Sequence, residues 1–159
     1  MKSKARFLGH PIHPMLIVLP LGLLPAALVC DAVHFATKRG FWGEMAFWLI
    51  AGGIVGGAIA GVAGFIDWLA IPRETRAKRI GALHGLINVG VLLVFSVSWW
   101  LRRSDPTALQ LLPVILGVGA LILSGISAWL GGELIYKLGI GVHATAQPNA
   151  ESSLSDDSP

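Results

Sequence analysis

Charge and cysteine are what this sequence has least of. Only 13% of its 159 residues are charged, against roughly 25% in an ordinary soluble domain. That scarcity argues against a freely soluble globular protein. The single cysteine, Cys30, excludes an intrachain disulfide and any zinc site built from several thiolates. No nucleotide-binding loop, Ser-His-Asp arrangement or nucleic-acid motif is present. A pI near 9.4 does not point to nucleic acid either, because the basic residues fall in short groups between apolar runs. What the chain does have is apolarity, with 54% of residues in the hydrophobic set and a mean hydropathy of +0.70. Such a chain is expected to carry an apolar outer surface as well as an apolar core, with lipid as its solvent. Its 20 glycines suit helices that approach closely there.

Four apolar stretches, 14–36, 45–71, 80–101 and 108–130, are each long enough to cross a hydrocarbon core, which takes about 20 helical residues. The connections are short, so successive helices should be antiparallel neighbours. The expected fold is all-α, an integral-membrane four-helix bundle of up-down-up-down order over residues 1–143. Residues 144–159 are polar, acidic and aperiodic, and read as a disordered tail. Lys2, Lys4, Arg6, Arg73, Arg76, Lys78, Arg79 and Lys137 would lie on one side, and Lys38, Arg39, Arg102 and Arg103 on the other. Eight against four places both termini in the cytoplasm of an inner membrane. The first apolar run is too long for a signal-peptide core, and Leu28-Val29-Cys30 lacks the small residue expected before a lipidated cysteine. Trp42, Trp99 and Trp100 near one interface, and Trp68 and Trp129 near the other, serve as anchors.

The spans also hint at duplication. His13 set against His84 aligns two histidine-led segments at an offset of 71, and Gly64 against Gly125 aligns two Gly-x-x-x-Trp-Leu segments at an offset of 61. Two fused helical hairpins would leave that trace, with a pseudo-two-fold axis along the membrane normal and His13 and His84 at similar depth across it. Gly52, Gly53, Gly56, Gly57, Gly61 and Gly64 repeat at G-x-x-x-G spacing and read as a packing face without a chemical role.

His10, His13, Asp67, His84, Glu133 and His143 all fall at the cytoplasmic face in this topology, with Asn88 one turn from His84. Ionisable groups in a bilayer are costly and tend to face the bundle interior and pair, so a convergent site is expected. Structural roles compete with it. His10 and His143 suit interfacial hydrogen bonding, Asp67 could pair with Arg73 or Arg76, and Glu133 with Lys137 at i+4. His84, inside an apolar run between Gly81 and Gly85, is harder to assign to structure alone. At the other face Asp31 and His34 stand three residues apart, and an interaction between them is the economical reading.

Gly9-His10-Pro11-Ile12-His13-Pro14, Gly64-Phe-Ile-Asp67-Trp68, Leu83-His84-Gly85, Gly131-Gly132-Glu133-Leu134 and Gly139-Ile-Gly141-Val142 together resemble a bacterial family of predicted membrane proteins, domain of unknown function 2231. The resemblance runs to about Val142. It implies a four-helix membrane domain, in some members joined to a Rieske-type iron-sulfur domain, and hence electron transfer for some of them. This chain has no such cysteine and histidine set, so an iron-sulfur partner would be a separate redox protein.

Three functions follow from these residues. The first is a b-type cytochrome with His13 and His84 as axial ligands to haem b. The second is a mixed site for a divalent metal ion such as zinc, iron or manganese, built from His10, His13, Asp67, His84 and Glu133. The third is a non-catalytic subunit or anchor of a redox or transport complex. The expected partners are the lipid bilayer and a separate redox protein, with no nucleic acid and with a homo-oligomer left open. A transporter acting alone is disfavoured, since four helices enclose little volume and no acid sits near the midplane.

Overall fold

Apolar runs set the helices of this chain, and proline, a left-handed residue or a hydroxyl cap sets their ends. The computed structural model describes residues 3–144, 146–150 and 152, so Lys2 and the tail acids Glu151, Asp156 and Asp157 lie outside the described residues. A short α1 (Ile12–Leu16) leads, after Ile17, into α2 (Val18–Thr37). Then come α3 (Gly40–Ala70), α4 (Arg76–Arg102) and α5 (Leu111–Gly132), the last continued by a π-helical segment at Glu133–Lys137. The four resulting segments, Ile12–Thr37, Gly40–Ala70, Arg76–Arg102 and Leu111–Lys137, are all long and apolar enough to span a membrane.

The boundaries have local causes. α2 ends where Lys38 takes a left-handed φ of 57° and its N–H reaches the His34 carbonyl. α3 ends at Ile71, held extended because Pro72 follows. α4 starts at the hydroxyl of Thr75, which accepts from the Lys78 amide at 3.1 Å. Two helices begin ahead of the apolar runs read from sequence, α3 at Gly40 rather than 45 and α4 at Arg76 rather than 80, whereas α5 begins later, at Leu111 rather than 108. Hydropathy marks the lipid-embedded core of a helix, whereas backbone hydrogen bonding continues through the interfacial turns. Ahead of α1, β1 (Arg6–Phe7) and β2 (His10–Pro11) form a small hairpin. Its two turn residues, Leu8 and Gly9, both have positive φ, which suits a tight two-residue turn.

Consecutive helices pack as neighbours and α5 closes onto α2, while the Asp31–Arg102 ion pair joins α2 to α4 across the diagonal. Leu24, Ala27, Ile50, Val91, Phe95 and Ala120 form the shared core. An added Cβ at Gly53, Gly56 or Gly57 would stand 2.5, 2.7 and 2.7 Å from Leu24, Leu19 and Leu92 respectively. That stretch of α3 is therefore a packing face, as its spacing suggests. Trp48, Ile59, Leu86 and Ile122 point outward, toward what would be lipid.

Candidate functional site

His13 enters on the first turn of α1, where Pro11 precedes the helix and Pro14 follows at a position needing no amide donor. Its Nδ1–H donates to the Ala60 carbonyl of α3 at 2.8 Å. Gly64, one turn along α3, admits the ring, since a Cβ there would stand 2.9 Å from Nδ1. His84 on α4 repeats this arrangement. Its Nδ1–H donates to the Ser127 carbonyl of α5 at 2.9 Å, with the Ser127 hydroxyl oxygen 3.0 Å away. Gly131 takes the place of Gly64, with a Cβ position 3.3 Å from the imidazole Cε1. A carbonyl only accepts, so both rings carry a proton on Nδ1, and Nε2 of a neutral ring is an acceptor. At His84 that acceptor receives a hydrogen bond from the Asn88 amide nitrogen at 3.1 Å. The two rings lie with centroids 6.4 Å apart and planes at 88°.

The contacts also correct the repeat. His13 and His84 keep their offset of 71, but Ala60 with Ser127, and Gly64 with Gly131, put the second helices at an offset of 67 rather than 61. Gly125, the expected counterpart of Gly64, faces open space. Short apolar motifs slide along one another without penalty, and only the imidazole contact selects the register. Gly64 thus does more than pack helices.

The other expected ligands lie elsewhere. Asp67 accepts from the Ser3 hydroxyl at 2.7 Å and from the Lys4 and Ala5 amides at 2.7 and 3.0 Å, so it ties down the N-terminal segment instead of pairing with Arg73 or Arg76. Glu133 pairs with Arg76 at 2.7 Å, not with Lys137. His10 lies in β2, opposite Phe7, and His143 follows the π-helical segment. Among the described residues, no group of three or more His, Cys, Asp or Glu side chains could hold a metal ion. The five-residue mixed site is therefore not assembled; of that set, His13 and His84 face each other.

A second polar centre occupies the opposite end of the same diagonal. Arg102 donates to both Asp31 oxygens, at 2.5 and 2.9 Å, and both side chains are buried. The Arg102 guanidinium also reaches Ser98, whose hydroxyl donates to the Pro113 carbonyl. His34 does not bond Asp31; its Nδ1–H donates to the Arg39 carbonyl at 2.9 Å. Sequence reasoning counted Arg102 only as a topology signal. The offset of 71 that relates His13 to His84 also relates Asp31 to Arg102, and would have paired them. In the exposed connection to α5, the Thr107 hydroxyl and amide donate to Asp105 at 2.6 and 3.0 Å and hold its carboxyl below the usual range.

Residues 9–144 match the family described as "Predicted membrane protein (DUF2231)". No curated protein and no solved structure matches the chain.

Proposed function

The chain belongs to the predicted membrane proteins of family DUF2231, and from that premise we propose that it is an electron-transfer subunit in which His13 and His84 ligate one haem b. The observation that carries this reading is the imidazole pair. Both rings spend Nδ1–H on a backbone carbonyl, as imidazoles that bind a metal through the other nitrogen characteristically do. A centroid spacing of 6.4 Å leaves room for one metal atom about 2.0–2.1 Å from a nitrogen of each ring. Lys4, Arg6, Arg73 and Arg79 are exposed at the same end and offer countercharge to carboxylates. Bound there, a haem would supply reversible one-electron transfer. The eight-to-four division of basic residues supports an inner-membrane location with cytoplasmic termini, and the electron would pass to or from a separate redox protein.

One observation favours a second reading, a membrane subunit in which the pair is only a structural lock. Asn88 already occupies the His84 Nε2 lone pair, so ligation and that hydrogen bond compete. An oxidised and reduced absorption spectrum of protein purified from haem-replete cells separates the two. The expected result is a Soret band in the wild type, lost in His13→Ala and His84→Ala and retained in Asn88→Leu. A folded wild type with no Soret band would overturn the haem reading and leave the lock.

A further inference from the structure

The end of the bundle opposite His13 contains buried polar atoms that the protein itself leaves unsatisfied, two of them on residues that line one cavity. His34 Nε2 and Arg102 Nε are buried and, among the described residues, have no hydrogen-bond partner. His34 and Arg102 are 3% and 5% exposed, so solvent at the surface does not satisfy them. An orphaned buried polar atom costs about 1–3 kcal/mol, and two in one place call for a shared explanation.

Both residues line one cavity of about 10 Å³, together with Asp31, Gly43, Pro106 and Gln110. A volume of about 10–15 Å³ on this measure is what one water molecule needs. The chemistry of the two orphans is complementary. Nδ1 of His34 is committed as a donor to the Arg39 carbonyl, which makes Nε2 of the neutral ring an acceptor. Arg102 Nε–H is a donor, and its two terminal nitrogens are spent on Asp31. A molecule that accepts from Arg102 Nε–H and can donate to an Nε2 acceptor satisfies both atoms at once, and a cation at Arg102 does not.

We propose that this cavity binds a single water molecule that accepts from Arg102 Nε–H and donates to His34 Nε2. The water joins His34 to the Asp31–Arg102 pair and completes a buried polar network between α2, α4 and the connection to α5. Gly43 keeps the space open, because a Cβ there would stand 2.4 Å from the Pro106 carbonyl oxygen and 3.1 Å from His34 Nε2.

The test is nuclear magnetic resonance on full-length protein in lipid nanodiscs, with ¹⁵N-labelled histidine and arginine. The expected result is an exchange-independent cross-peak between Arg102 Nε–H and a long-lived water, with His34 as the Nδ1–H tautomer and its Nε2 resonance shifted as a hydrogen-bond acceptor. His34→Phe keeps a ring in place but removes the acceptor, and should abolish the cross-peak. An Arg102 Nε–H without water contact in the wild type would overturn the proposal. So would resonances that move when chloride replaces gluconate, since the occupant would then be an anion.

Discussion

An Asp31 carboxylate stripped of Arg102 would be a bare charge among apolar helices. Breaking a buried pair by removing one partner costs about 3–5 kcal/mol, whereas replacing both partners with apolar groups is often near neutral. Arg102→Leu should therefore destabilise the bundle by that amount, and Asp31→Leu/Arg102→Leu should recover most of it, as read by thermal unfolding in a mild detergent. A double variant no more stable than Arg102→Leu would mean that the pair contributes little. Asp105 is a milder case at the surface. Its carboxyl is held below the usual range by Thr107, so the stabilisation is present at pH values above the ordinary carboxyl range. It is lost as pH falls through the lowered pKa of the folded state. Thr107→Val should move the Asp105 titration midpoint upward toward the ordinary value, measured by carbon resonance titration.

Between elements, two of the fits that bear on the candidate site are those where a glycine meets a histidine. Gly64→Ala would place a methyl group 2.9 Å from His13 Nδ1, and Gly131→Ala would place one 3.3 Å from His84 Cε1. The first should break the hydrogen bond to Ala60, costing about 1 kcal/mol, and the second should cost less. Gly61→Ala, which meets nothing within 4 Å, should be neutral or stabilising through helix propensity, by up to about 1 kcal/mol. Equal losses at all three positions would show that the imidazole contact is not what Gly64 serves. The α3–α4 connection has its own clasp. Trp68 donates its indole N–H to the Lys78 carbonyl at 3.0 Å, and the Lys78 ammonium sits 3.8 Å from the Trp68 ring centroid.

At the scale of the whole molecule, the charge division makes a directional prediction. In a Cys30→Ser background, Arg73→Cys should react with an impermeant thiol reagent only in inverted vesicles, and Ser104→Cys only in intact spheroplasts. The reverse pattern would place the His13 end outside. The four spans themselves were legible in the sequence, since about 20 apolar residues in a row leave few alternatives. The pairing of His13 with His84 was legible too, through the repeat. The Asp31–Arg102 pair was implicit in the same offset of 71, whereas the partners of Asp67, Glu133 and His34 were not.

That division has a physical cause. In lipid both the core and the outer face of a helix are apolar, so hydropathy alone determined span, order and class but left each helix's rotation undefined. One residue of slip turns a side chain by about 100° around the axis, enough to exchange one polar partner for another. Only tertiary packing decided it, where Gly64 and Gly131 admit the imidazoles and where the diagonal between α2 and α4 brings Asp31 to Arg102.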